Sequence, residues 1–342
     1  MSLHNGRASG RPTYRRWLAL AAITLSFGQL LGASALAQTK APARPAVKTK
    51  VAVKAPAKDD AQAATDATDP KLGQDWVRLK YDDDGQVLGM QTAIIRYAAK
   101  ATAGNKTDAP LQVDLIGAVH IADVGYYEQL NERFKQYDAL LYELVAPEGT
   151  VVERRRGTSN AHPIGAMQNV FKDLLGLDHQ LSEVDYTKAN FVHADMSPDD
   201  FAKAMADRKD TFLQMYFRLI GQAMAHQTEL NAKGGASDVE LISALFAPDR
   251  PRRLKIILAK QLSEMESLMV SFGGEDGSVI ITDRNKKALE VLKQQIAKGK
   301  KRIGIFYGAG HLGDMDKRLR KDFSLQPVSI TWLTAWDLAA KK

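Results

Sequence analysis

The chain has 342 residues, a formal net charge of +7 and no cysteine. Residues 1–58 hold ten of the basic residues and no acid, which leaves residues 59–342 at a net charge of −3; a mildly acidic body argues against a nucleic-acid-binding surface. Without disulfides the fold must be held by its apolar core, and residues 76–342 are enough for one large α/β domain with such a core.

Residues 1–37 read as an export signal. Arg7, Arg11, Arg15 and Arg16 precede an apolar stretch from Trp17 to Leu31, and Ala35-Leu36-Ala37 offers a small-x-small cleavage site. Thr24, Ser26, Gln29 and Ser34 thin the apolar stretch, which favours a cleaved signal over a retained anchor. Arg15-Arg16 suggests the twin-arginine route, so a periplasmic or secreted location is expected. Residues 38–75 are rich in Ala, Lys, Pro, Thr and Asp. Such a composition cannot offset the entropy of ordering, and a disordered tether is expected. Its basic half, Lys40 to Lys58, could make a weak contact with membrane lipid or cell-wall polymer.

The domain should then open with a hairpin, Trp76–Tyr81 and Gln86–Tyr97, around Asp82-Asp83-Asp84-Gly85. This acidic stretch is too short for a calcium loop and reads as a turn. Val113–Val119 is almost wholly apolar, as a buried parallel strand would be. Gly125–Tyr137 has helical spacing, with Tyr126, Leu130 and Phe134 on one face. Ala139–Val145 is the next strand, and the strand–helix–strand unit predicts a parallel pair. From about 160 to 275 the pattern is that of a large, mostly helical insertion, broken by Phe191-Val192, with Ser197-Pro198 starting a helix. Val279–Ile281 reads as a strand and Arg284–Lys298 as a helix capped by Asp283. Ile303–Tyr307, Gly313–Phe323 and Val328–Leu333 close the domain as strand, helix and strand.

Two of these strands run into the same short element, Gly117-Ala118-Val119-His120 and Gly308-Ala309-Gly310-His311. Between them in the chain, Glu143 interrupts an apolar run. Two imidazoles and a carboxylate are a typical way to hold a divalent metal with an open position. Ligands of open α/β sheets bind beyond the carboxyl ends of the strands, where both histidines should fall. The glycines are expected to let the chain turn and to leave room for a ligand. Glu143 shares a strand face with Ala139, Leu141 and Val145, and a buried carboxylate needs a partner. It is a metal ligand, a general base or one half of a structural ion pair. Arg284 and Asn285 stand at a helix start, where an arginine opposes the dipole; Arg284 could pair with Glu143 or stabilise negative charge in a transition state. His193 and Asp195 follow an apolar piece and could reach the same edge. His226 lies on the apolar stripe of its helix, and His162 and His179 read as loop or helix-end residues. Gly308-Ala-Gly-His-Leu-Gly313 also matches a dinucleotide fingerprint literally, but too little chain follows it for a nucleotide-binding half.

Four stretches together resemble the signatures of the TraB/GumN family: Leu115–Tyr127, Asp138-Ala-Leu-Leu-Tyr-Glu-Leu144, Thr282-Asp-Arg-Asn285 and Tyr307-Gly-Ala-Gly-His-Leu-Gly313. That family groups with the Tiki metalloproteases and the erythromycin-esterase/ChaN-like fold, and the likeness spans roughly residues 85–325. It implies an α/β fold with a central, mostly parallel sheet, flanking helices and a large helical insertion. It also implies a site with His120, Glu143 and His311 at a divalent metal ion (manganese, cobalt or zinc), supported by Arg284 and Asn285. The function expected is an exported metal-dependent hydrolase, a peptidase in the first instance; a small amide or ester would need the same parts. The alternative is a non-catalytic periplasmic protein that sequesters a peptide, haem or a metal.

Overall fold

A computed structural model describes residues 75–99, 110–152, 175–208, 238–271 and 278–340. The expected signal, nearly all of the tether, His162 and His226 lie outside the described residues. In chain order the strands are β1 (Val77–Tyr81), β2 (Val87–Ala99), β3 (Gln112–Ala118), β4 (Ile121–Ala122), β5 (Ala139–Tyr142), β6 (Asp178–His179), β7 (Phe191–His193), β8 (Arg302–Gly308) and β9 (Leu325–Asp337). The helices are α1 (Val124–Phe134), α2 (Gln180–Glu183), α3 (Pro198–Asp207), α4 (Asp238–Leu245), α5 (Arg250–Ser271), α6 (Arg284–Ala297) and α7 (Ala309–Asp322).

Seven of the strands form one mixed sheet with flanking helices. Its parallel half runs β3-β8-β5-β7. In the other half β2 pairs antiparallel with β1 and β3 along one edge and with β9 along the other. The first hairpin is β1–β2, and Asp82 closes its turn by accepting from the N–H groups of Asp84 and Gln86, with Gly85 at φ 77°. The expected strand–helix–strand unit is parallel, but β3 and β5 are not neighbours: β8, from the far end of the chain, lies between them. The reason is legible in β8 itself. Its residues Ile303 to Tyr307 are buried, as a strand covered on both faces must be. At its centre a Cβ on Gly304 would come within 2.6 Å of Leu140 Cδ1 and 3.1 Å of Ile116 Cδ1. Only glycine lets the side chains of both flanking strands close over it.

Alternation along the strands divides the core in two. Ile116, Leu140 and Phe306 face one side, with Tyr127, Leu130 and Phe134 of α1 and Leu254 and Leu258 of α5. Leu115, Leu141 and Ile305 face the other, under Leu289 and Leu292 of α6 and Leu312, Met315 and Leu319 of α7. Helices thus cover both faces and leave the carboxyl edge of the parallel strands to loops and helix starts. Within the expected helical insertion, α3 begins as its sequence suggests, with Ser197 accepting from the Asp200 N–H and Pro198 at the first turn.

One expected strand is a helical turn instead. Val279–Ile281 is not a strand but part of a π-helical turn, Val279–Asp283, that leads directly into α6. Three β-branched apolar residues look like a buried strand, and so short a run cannot be told from a buried helix by pattern alone. Ser278 starts the turn: its hydroxyl accepts from Ile281 N–H at 3.2 Å, and its carbonyl accepts from Thr282 and Asp283 N–H at 2.8 and 3.1 Å. Asp283 is therefore no cap; it is already helical, and its carboxylate binds Arg208 and Lys286.

Candidate active site

The four parallel strands each deliver a polar residue to one edge. His120 follows β3, Glu143 follows β5 directly, Asp195 follows β7, and β8 ends at Gly308 with His311 in the first turn of α7. Glu143 is thus off the strand, not on the apolar face of an extended Ala139–Val145. Its backbone N–H still reaches the Phe306 carbonyl, at 3.2 Å. The π-turn supplies the centre. It turns Arg284 and Asn285 inward, and both are buried, at 1% and 0% exposure. Wider turns of this kind are frequent at functional sites.

Arg284 joins the strand ends. Its Nε donates to Asp195 Oδ1 at 2.9 Å, and its Nη2 donates to Asp195 Oδ2 at 2.5 Å and to Glu143 Oε1 at 2.7 Å. The other Glu143 oxygen, Oε2, accepts from Gly308 N–H at 2.7 Å. A Cβ on Gly308 would lie 3.3 Å from that oxygen. Gly308 has φ −50° and ψ 138°, open to any residue, so its glycine provides room for the carboxylate and not a turn. The room beside Gly117 is filled by the Ala93 carbonyl and Leu312, not by a ligand. The dinucleotide-like stretch has its first N–H, on Gly308, held by Glu143.

His311 is fixed by Asn285. The Asn285 Nδ2 group donates to the His311 carbonyl at 3.0 Å and to Asp314 Oδ2 at 2.9 Å. Its Oδ1 must then accept from His311 Nδ1–H, 2.7 Å away. That assigns the proton to Nδ1 and leaves the Nε2 lone pair facing Glu143 Oε1 at 3.5 Å, with Arg284 Nη1 also 3.5 Å off. Tyr307 packs edge-on to the His311 ring and donates to the Ala194 carbonyl at 2.6 Å.

The electrostatics follow from burial around one cation. Burial pushes the Glu143 carboxyl up, but Arg284, with His311, His120 and the Gly308 N–H, outweighs it and holds the group ionised well below the usual range. Burial opposes the charge of Arg284 too, and Asp195 and Glu143 more than restore it. Burial pushes His311 down to about 4, with Glu143 opposing and Arg284 assisting. His120 is also pushed down by burial, against the pull of Glu143. Both imidazoles are therefore neutral at neutral pH, the form that binds metals.

Of the residues singled out from sequence, Glu143, Asp195, Arg284, Asn285 and His311 form one bonded network, and His120 joins it electrostatically. His193 does not: its Nε2 is 2.6 Å from the Leu144 carbonyl and ties β7 to the chain after β5. Sequence reasoning does not mark Tyr307, nor Gln180 and the Tyr186 hydroxyl to which its side chain donates. Tyr307 immediately precedes the second Gly-x-x-His element, a position that could have marked it. Gln180 carries no sequence signal; it reaches the site because β4 and β6 pair, which lets its N–H bond the His120 carbonyl at 2.9 Å.

The fit of a metal rests on donor atoms. Glu143 Oε1 and His311 Nε2 both offer lone pairs across their gap, with no proton between them once Nδ1 carries it. Two ligands each about 2.1 Å from a tetrahedral ion stand roughly 3.4 Å apart. Against this, Arg284 already donates to the same Glu143 oxygen and, through Nη1 at 3.5 Å, to the same His311 nitrogen, and among the described residues no three His, Asp or Glu side chains are grouped closely enough to hold an ion. The side chains fit an ion through two donors, and His120 would have to approach to give a third. Comparison with protein-family models, with curated proteins and with solved structures gives no match.

Proposed function

We propose that the chain is an exported, metal-dependent hydrolase of peptides with an erythromycin-esterase/ChaN-like fold, of the kind its TraB/GumN-like motifs imply. The observation that carries the reading is the His311 Nε2 lone pair facing an ionised Glu143 oxygen at 3.5 Å at the carboxyl edge of a parallel sheet, where such sheets bind ligands. His311, Glu143 and His120 would hold the ion. Bound there, a divalent metal would polarise the scissile carbonyl and lower the pKa of a water.

The chain's own groups have separable tasks. Glu143 has both oxygens engaged and a strongly depressed pKa, which suits a ligand or an electrostatic anchor and not a base, since a base works best near the ambient pH. Asn285 keeps His311 in the tautomer that can ligate, as outer partners of ligating histidines do. Asp195 locks the guanidinium of Arg284, whose Nη1 rests 3.5 Å from His311 Nε2 and, with that nitrogen on a metal, would meet negative charge developing on a carbonyl oxygen.

The test is metal analysis of the purified protein, with hydrolysis of a peptide library measured with and without chelator and after return of manganese, cobalt or zinc. Chelator-sensitive cleavage restored by one metal is the expected result. A metal-replete protein that cleaves no peptide, ester or amide overturns the reading, and a haem absorption band on reconstitution would point to sequestration instead.

A further inference from the structure

His311 has Asn285 to fix its tautomer; His120 needs an equivalent, and one candidate side chain stands beside it. Gln180 opens α2 and is 6% exposed. Its backbone N–H donates to the His120 carbonyl at 2.9 Å, and the neighbouring pairs Ile121↔His179 and Ala122↔Asp178 hold the two segments in register. Its side-chain Nε2 donates to Tyr186 hydroxyl at 2.8 Å, so the orientation of the carboxamide is set from the far side. That leaves Oε1 buried and, among the described residues, with no hydrogen bond of ordinary geometry. A buried amide oxygen left this way calls for a donor. The imidazole of His120 makes a side-chain contact with Gln180, and its ring N–H is the donor on offer there.

We infer that Gln180 is a positioning residue: its Oε1 accepts from one ring N–H of His120 and so keeps the other ring nitrogen unprotonated. Tyr186 acts one step further out by holding the carboxamide. The site then has the same device twice, a carboxamide behind each imidazole, one carried by α6 and the other by α2. The inference rests on the proposed role of His120 at a metal, but its structural content does not need the metal.

Imidazole nitrogen-15 NMR of the whole protein without added metal, near pH 7.5, reads it directly, with the His120 signals identified by their loss in His120→Ala. The wild type should show one His120 tautomer. Gln180→Met, similar in length and without a polar head, should give exchange between both tautomers and weaken zinc binding by about tenfold or more. An unchanged His120 tautomer in a folded Gln180→Met protein overturns the inference. Should that variant fail to fold, Tyr186→Phe, which keeps the ring and frees the carboxamide, decides in the same terms. A tautomer shift in a protein that neither binds zinc nor cleaves peptide would support Gln180 as the positioning group and count against the metal-hydrolase reading alone.

Discussion

Arg284 has two carboxylates, and they are not equivalent. Asp195 takes two bonds and is fully buried, with a side-chain exposure of 0%; Glu143 takes one bond, at 12%. Asp195→Asn should therefore destabilise the fold by about 3 kcal/mol, the cost of breaking a buried pair from one side, measured by urea unfolding. Glu143→Gln leaves Arg284 its Asp195 bonds, so the melting temperature should move by only a few degrees, while hydrolysis falls by at least about a hundredfold. Full activity in Glu143→Gln would remove the centre of the site. A third expectation concerns acid. His311 is pushed down to about 4 in the fold from an ordinary value of 6.5. Between those values the unfolded chain binds a proton that the folded chain refuses, so stability should fall as pH drops through this window and be unaffected above it. Denaturant melts at pH 7 and 5.5 should show a smaller loss for His311→Gln than for the wild type. At this scale the sequence was informative: Glu143 was conspicuous as a charge in an apolar run, and Asp195 lay just past an apolar piece. The sequence could not show that His193 is spent on a backbone carbonyl, because that depends on where the chain after β5 passes.

Elements explain which glycines matter. Gly308→Ala puts a methyl 3.3 Å from Glu143 Oε2, so it should displace the carboxylate and lower activity with little change in unfolding free energy. Gly304→Ala instead meets Leu140 Cδ1 at 2.6 Å in the middle of the sheet, and overpacking there should cost about 1–3 kcal/mol. Comparing activity and melts of the two variants separates site from scaffold; equal behaviour would mean that Gly308 has no special relation to Glu143. The hairpin, α1, α3, β8 and the last strand could all be read from periodicity and caps. The π-turn could not, since Val279-Ile280-Ile281 is apolar at every position and carries no period. Yet this misread element is the one that aims Arg284 and Asn285, and its signal was the awkward one of an arginine at a helix start. The mismatch with the helix dipole marked a residue held there by Asp195 and Glu143.

The whole domain brings residues 120 and 311 to one edge, as the two Gly-x-x-His elements after apolar runs suggest. Strand order was not legible, because parallel neighbours are chosen by packing across the sheet and not by local pattern. If His120 and His311 serve one ion, each His→Ala change should by itself strip most of the bound metal, and the double variant should be little worse than either; additive losses by metal analysis would indicate separate sites. The placement of β8 carries one more consequence. β3 and β5 have no common neighbour until Arg302–Gly308 has been made, and β2 lacks its long partner until Leu325–Asp337 follows. A nascent chain still short of its last segments therefore has two unmatched half-sheets, and lacks both His311 and the Gly308 N–H that holds Glu143. Any cutting power this fold possesses would be withheld during translation, and a chain broken off early would remain inert towards its neighbours.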